Sequence, residues 1–299
     1  MRTRAIRCRG EVDVRLTCRE LSHGGGDPTI RFGPGGVARA TRTPEGPATI
    51  QLIGESRSEI AAHAWGPGAE WALSHAPDLA GVEDVPEDFR PEHPGLRYLQ
   101  RRMSGMRFTR SLAVIEALVP TILEQKVTSG EAHRSFRRLV LKYGDAAPGP
   151  FDLRLPPEPD LLARLPYEEF HPLGIERNRA TTIKLVCRRA ARMEEVSTMM
   201  PRDAFARLTS MPGIGLWSAA NVMQLALGDP DAVLVGDFHM PHAVAWFLAS
   251  EPRATDARML ELLEPYRGQR ARAMRLITYS GWRAPKFGPR HRLRDIAAI

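Results

Sequence analysis

The chain has 299 residues, a length that allows two or three domains with separate cores, and its formal net charge is +7 at pH 7. Three cysteines are too few for a disulfide framework or a four-cysteine metal site, which excludes a cysteine-ligated iron–sulfur cluster. No run of about 18 apolar residues is present, which argues against a membrane span, and the basic charge favours a polyanionic partner such as nucleic acid.

The first part of the chain has the pattern of a small antiparallel sheet. Four segments show apolar alternation between Gly- and Pro-rich turns: 12–18, 29–33, 36–43 and 48–54. The last two are predicted to pair as a β-hairpin. Residues 57–75 are predicted to be helical, with a break near Gly66. These patterns predict a small N-terminal α/β domain over residues 1–88.

An acidic, proline-rich stretch then precedes a region of consecutive helical patterns. Residues 111–126 and 128–143 are predicted to form two helices, and residues 173–193 a longer one on which Arg179 is exposed. The pattern predicts an all-helical domain over residues 89–282. A basic tail, 283–299, is predicted to follow it.

The most informative stretch of the helical region runs from Leu208 to Asp237. Its Pro-Gly-Ile-Gly turn is predicted to join two helices. Gly213 and Gly215 suit positive φ or a close backbone approach, which residues with a Cβ resist. The start of the second helix presents unpaired N–H groups and the positive end of the helix dipole, so it favours a phosphate. The turn carbonyls suit a hard cation.

The segment LTSMPGIGLWSA, followed by a Gly/Pro-rich loop and Asp237, resembles the helix-hairpin-helix of the base-excision DNA glycosylases. Within that superfamily the chain is most similar to the 3-methyladenine DNA glycosylase II branch. The resemblance implies an α+β fold. A small N-terminal α/β domain with an antiparallel sheet would precede an all-α helix-hairpin-helix glycosylase domain, whose two helical subdomains flank a cleft.

The resemblance implies that Asp237 is the catalytic carboxylate. Cleavage of an N-glycosidic bond develops positive charge on the sugar, which a nearby carboxylate stabilises. A purely structural alternative is that Asp237 caps a helix. Trp217 stands where bifunctional members carry a Schiff-base lysine, so the resemblance implies a glycosylase without lyase activity.

The base pocket implied by the resemblance contains Trp217, Asn221 and Phe238. A flat indole stacks well on a cationic alkylated purine. Asn221 and Thr278 stand where the branch has aromatic residues, so the aromatic lining is thinner here, and the preferred lesion stays open.

Five residues are expected to contact DNA by the same resemblance: Gln125, Lys126, Gly213, Gly215 and Ser218. Lys126 stands where the branch usually has an apolar wedge. Two interpretations of Lys126 stay open, a wedge with its stem in the minor groove or an ordinary surface charge. The carbonyls of Thr209, Met211 and Ile214 are expected to hold a structural Na⁺ or K⁺, and no cofactor is expected for activity.

The sequence therefore predicts a monomeric, monofunctional DNA glycosylase of base excision repair. It would flip an alkylated purine of the 3-methyladenine type from double-stranded DNA and hydrolyse its glycosidic bond. Two alternatives remain: a non-catalytic DNA-binding relative, and a glycosylase for another damaged purine. No apolar signal segment is evident near the N-terminus, so we expect a cytoplasmic, nucleoid-associated protein with no membrane partner.

Overall fold

The computed structural model describes residues 1–285, so most of the predicted basic tail lies outside the described residues. Its N-terminal part is a five-stranded antiparallel sheet in the order β1-β5-β4-β3-β2. The strands are β1 Arg2–Arg7, β2 Ile30–Gly33, β3 Gly36–Thr43, β4 Gly46–Gly54 and β5 Glu59–Trp65. The predicted β-hairpin is confirmed, because β3 pairs with β4 from Val37↔Leu52 to Thr43↔Gly46.

Fifteen helices and five short 3₁₀ turns are found within residues 1–285. The helices are α1 Val14–Thr17, α2 Ala69–Ser74, α3 Ala76–Leu79, α4 Pro94–Arg102, α5 Val114–Leu123, α6 Ser129–Tyr143, α7 Pro159–Arg164, α8 Tyr167–Phe170, α9 Arg177–Cys187, α10 Ala190–Glu194, α11 Pro201–Thr209, α12 Leu216–Ala226, α13 Met240–Ala249, α14 Asp256–Leu263 and α15 Arg270–Tyr279. In this part of the chain no helix has both the length and the apolar character needed to span a bilayer.

Two predictions of local structure near the N-terminus are wrong. Segment 12–18 contains a short helix, α1, rather than a strand, because the Asp13 carboxylate accepts the N–H groups of Arg15 and Leu16 and so caps it. Segment 57–75 was predicted to be helical, yet its first half is the strand β5. In β5 burial alternates with period two, and the strand lies between β1 and β4, so sheet pairing outweighs the helix propensity of its alanines.

The sheet and the helices α5–α12 share one hydrophobic core, which includes Ile50 of β4 and Leu118 of α5. A second core joins α4 to α13–α15 and includes Leu96 and Met274. The helical region therefore forms two packed groups, which agrees with the predicted fold. The boundary expected near residue 88 stays a prediction.

Both ends of α5 are fixed by side chains from distant parts of the helical region. At its start, the carboxylate of Glu194 accepts the N–H groups of Val114 and Ile115 at 2.8 and 2.9 Å. At its end, Nη1 of Arg179 donates to the carbonyl of Leu123 at 2.8 Å. The prediction that Arg179 is exposed is wrong: it is only 2% exposed, because its guanidinium satisfies a helix-terminal carbonyl.

Candidate active site

The helical hairpin, formed by α11, the turn 210–215 and α12, contains two glycines in different environments. Gly213 has φ +87°, and a Cβ there would lie 2.4 Å from Oγ1 of Thr182 on α9, so the fold requires glycine. Gly215 has an ordinary φ of −92°, and a Cβ there would meet no atom within 4 Å. Open space therefore lies beside Gly215, at the N-terminal end of α12.

The loop after α5 is bound to the helical hairpin through Gln125. Its Nε2 donates to the carbonyl of Gly213 and to Oγ of Ser218, both at 2.9 Å. Three of the residues expected to contact DNA therefore lie together, although Ser218 is buried and its hydroxyl is used internally. Lys126 is exposed with φ +57°, a conformation uncommon for a residue with a Cβ. Its exposure is compatible with both interpretations given above.

Asp237 is held in one orientation by three hydrogen bonds. The N–H groups of His239 and Met240, at the start of α13, donate to Oδ1, each at 2.8 Å. The indole Nε1 of Trp217 donates to Oδ2 at 2.9 Å. Asp237 is half-buried, and within residues 1–285 no cationic side chain forms an ion pair with it. Asp237 therefore caps the start of α13 through Oδ1, and its carboxylate is still available for chemistry.

A cavity of about 800 Å³ lies one helical turn along α12 from Trp217. Asn221 lines it and also donates from Nδ2 to the carbonyl of Trp217 at 2.9 Å. Leu234, three residues before Asp237, lines it as well. The volume is within the range of small-ligand pockets. Trp217 and Asp237 are not among the residues of the cavity wall, but hydrogen bonds join Trp217 both to Asp237 and to Asn221.

The predicted pocket residue Phe238 is placed differently. Its side chain is 76% exposed, and its ring lies near the rings of His239 and His242, with centroids 4.9 and 6.4 Å apart. It lies outside the wall of the cavity. Thr278, at the other position where the branch has an aromatic residue, donates its hydroxyl to the Met274 carbonyl on its own helix.

Three side chains in the cavity wall were not singled out from the sequence: His23, Glu124 and His133. We call them the Glu124 cluster. Nδ1 of His23 and Nε2 of His133 lie 3.8 and 3.7 Å from Oε1 of Glu124. Burial raises the pKa of Glu124, but its interactions with His133 and His23 outweigh this effect and lower the pKa to about 2. The one available sequence signal was the acidic residue directly before Gln125.

The turn expected to hold a monovalent cation is partly closed by its own hydrogen bond, because the Met211 carbonyl accepts the N–H of Ile214 at 3.0 Å. A carbonyl oxygen has a second lone pair, so this bond leaves Met211 able to act as a ligand. The site formed with Thr209 and Ile214 stays a prediction. Across residues 1–285, no group of three or more His, Cys, Asp or Glu side chains has the arrangement of a metal site.

Residues 119–267 match the model of the HhH-GPD superfamily of base excision DNA repair proteins. Over 170 residues the chain is 22% identical to a putative DNA-3-methyladenine glycosylase, YfjP, of Bacillus subtilis. This alignment covers 54% of the present chain and 58% of the B. subtilis protein. Over 226 residues it is 24% identical to a probable bifunctional transcriptional activator/DNA repair enzyme, AlkA, of Mycobacterium tuberculosis. This alignment covers 74% of the present chain and 43% of the M. tuberculosis protein. The chain thus spans about half the length of these curated relatives.

Among solved structures, a 3-methyladenine DNA glycosylase from Archaeoglobus fulgidus aligns with a TM-score of 0.79 and 20% identity, over 93% of this chain and 99% of that chain. A Clostridium acetobutylicum 8-oxoguanine glycosylase/lyase in complex with DNA aligns with a TM-score of 0.69 and 14% identity, over 91% and 92%. At these identities the likeness shows a shared fold.

Proposed function

We propose that this chain, which belongs to the HhH-GPD superfamily of base excision DNA repair proteins, is a monofunctional DNA glycosylase. It flips a damaged purine out of double-stranded DNA and hydrolyses the N-glycosidic bond. The proposal depends above all on Asp237, whose carboxylate is oriented by Trp217 and by the first turn of α13. Trp217 itself lies one helical turn along α12 from Asn221, a residue of the cavity wall.

The proposed reaction needs little beyond a fixed carboxylate and water. The bond between the sugar C1′ and the base nitrogen breaks, and the base departs with the electron pair. Asp237 stabilises the positive charge that develops on the sugar. Water then forms the new bond to C1′ and gives up its proton to the carboxylate. Trp217 offers no amine for a Schiff base, which supports hydrolysis without lyase chemistry.

Three features support double-stranded DNA as the partner. The chain is basic, the N-terminus of α12 is open beside Gly215, and Lys126 is exposed on the loop attached to the helical hairpin by Gln125. Backbone N–H groups at such a helix start suit a DNA phosphate, and a Na⁺ or K⁺ on the turn carbonyls would strengthen that contact. We propose that the protein acts as a monomer, in the cytoplasm and associated with the nucleoid.

Alkylated purines of the 3-methyladenine type are the proposed substrates. This choice is supported by the names of the B. subtilis and A. fulgidus relatives and by the indole of Trp217 beside Asp237. A second candidate is another damaged purine, because the cavity wall contains the amide of Asn221. Polar groups of this kind can hydrogen-bond the edge of an uncharged base.

The test is base release from methylated duplex DNA by the wild type and by Asp237→Asn. We expect Asp237→Asn to slow release by roughly 10²- to 10³-fold, because it removes the stabilising charge. Asp203→Asn, at an exposed position at the start of α11, is the matched control and should change release less than about twofold. A wild-type protein that binds DNA but releases none of a panel of damaged purines would instead be a non-catalytic DNA-binding relative.

A further inference from the structure

The wall of the cavity contains more carboxylates than guanidinium groups, although the chain as a whole is strongly basic. Asp13, Glu20 and Glu124 line it together with Arg15 and Arg19. A surface that binds DNA phosphates is expected to be positive. The carboxylates inside the cavity point to a ligand whose charge differs from that of the DNA backbone.

Both arginines of the cavity wall are engaged by other groups. Nη1 of Arg15 donates to the carbonyl of Gly33 at 2.9 Å, and the guanidinium of Arg19 lies 4.5 Å from the centre of the Tyr279 ring. One of the carboxylates is also engaged, since Asp13 caps α1. Glu124 differs from these side chains because its only ion-pair partners within residues 1–285 are the two histidines of its cluster.

The Glu124 carboxylate is ionised at neutral pH and is partly exposed to the cavity. Its pKa of about 2 keeps it ionised throughout the neutral range, and its side chain is 28% exposed. The two imidazole nitrogens stabilise the carboxylate from 3.7 and 3.8 Å, beyond the usual hydrogen-bond distance, and so leave room beside it. The carboxylate can therefore accept a closer donor or attract a cation that enters the cavity.

The cavity lies close along α12 to the residues of the proposed chemistry. Asn221 is four residues after Trp217, a rise of about 6 Å along α12, and it lines the same cavity as Glu124. We place the base of a nucleotide whose sugar lies beside Asp237 along α12, toward Asn221. Its ring would then lie within the cavity, with Glu124 in the surrounding wall.

We infer that Glu124 is a specificity-determining residue that recognises the positive charge of an N-alkylated purine, and this inference rests on the proposed glycosylase function. Alkylation at N3 or N7 gives the purine ring a formal positive charge. A carboxylate in a partly buried wall attracts that charge and gains nothing comparable from an unmodified purine. Glu124 thereby supplies electrostatic selectivity where the aromatic lining is thin, as at Asn221.

Turnover on paired substrates tests the inference. Two duplexes differ only in one base, cationic 7-methylguanine or neutral hypoxanthine, and single-turnover release is measured for wild type, Glu124→Gln and the exposed control Glu168→Gln. We expect Glu124→Gln to slow release of 7-methylguanine about tenfold and to change hypoxanthine release less than about twofold, because only the cation loses an attraction. Glu168→Gln should leave both rates unchanged. Equal losses on both substrates, or no loss, would overturn the inference while leaving the glycosylase function intact.

Binding without turnover separates the two proposals. Duplexes carry 2′-fluoro-7-methylguanosine or 2′-fluoroguanosine, because the fluorine disfavours positive charge on the sugar and so resists cleavage. The wild type should bind the methylated duplex about tenfold more tightly, and Glu124→Gln should lose that preference. If no base is released by any form but this preference depends on Glu124, charge recognition stands and the catalytic proposal fails. A preference that persists in Glu124→Gln overturns the inference.

Discussion

The two halves of the candidate site are built in different ways. The catalytic half, Leu208–Met240, is one continuous stretch in which the helical hairpin, Trp217 and Asp237 contact each other directly. The cavity half is assembled from the N-terminal loop, the end of α5, the face of α6 and α12. Its Glu124 cluster joins residues more than 100 positions apart. The catalytic half is therefore set mainly by local sequence, whereas the cavity half is set by tertiary packing.

Because the cavity half depends on how α5 is positioned, its stability should depend on pH more than that of the catalytic half. Burial raises the pKa of Glu194, which caps α5, to about 7 from 4.5. Between pH 4.5 and 7, Glu194 is ionised in the unfolded chain but still protonated in the folded chain. The free energy of unfolding therefore falls as the pH rises through this range, and it levels off above pH 7. The full loss is about 3 kcal/mol.

Glu194→Gln should remove this loss, so that its free energy of unfolding changes about 3 kcal/mol less than that of the wild type between pH 4 and 8. Denaturant titrations at several pH values measure the difference, and hydrogen exchange should show the change in α5. The adjacent, exposed Glu195→Gln is the control. Parallel pH profiles for wild type and Glu194→Gln would show that α5 is not a pH-sensitive element.

Substitution of the two glycines of the helical hairpin should separate folding stability from DNA binding, with a smaller effect on the free energy of unfolding than that of Glu194. Gly213→Ala should destabilise the protein by about 2 kcal/mol, because alanine at φ +87° is strained and its Cβ meets Thr182. Gly215→Ala should change stability by less than about 0.5 kcal/mol, since its Cβ enters open space. It should instead weaken duplex binding, by obstructing the phosphate site at α12. Thermal melts and fluorescence anisotropy test the pair, and unchanged DNA affinity in Gly215→Ala would remove that phosphate site from the proposal.

The smallest effect should come from the hydrogen bond that couples Trp217 to Asp237. Trp217→Phe keeps a flat ring but removes the N–H that donates to Oδ2, so base release should slow about tenfold while duplex affinity is retained. Single-turnover release and anisotropy measure the two quantities. Trp282→Phe is the control, because that tryptophan is 51% exposed, packs near Phe247 and is not part of the cavity wall. Loss of affinity without loss of rate would mean that Trp217 serves base binding rather than orientation of Asp237.

The sequence determined the elements whose signals are short-range. The β-hairpin of β3 and β4, the helices α5 and α6 and the helical hairpin were predictable because turn residues and apolar periodicity lie within a few positions of each other. The spacing of the hairpin and Asp237 was enough to indicate the superfamily, because both lie in one continuous stretch.

Tertiary structure decided everything that depends on distant partners. Segment 59–65 became a strand because β1 and β4 flank it, and Arg179 became buried because the end of α5 needed a donor. The Glu124 cluster exists because the N-terminal loop packs against α5 and α6, and no local pattern places His23 beside His133. Local patterns encode hydrogen bonds and periodicity along the chain, whereas a cavity is a property of surfaces that meet only after folding.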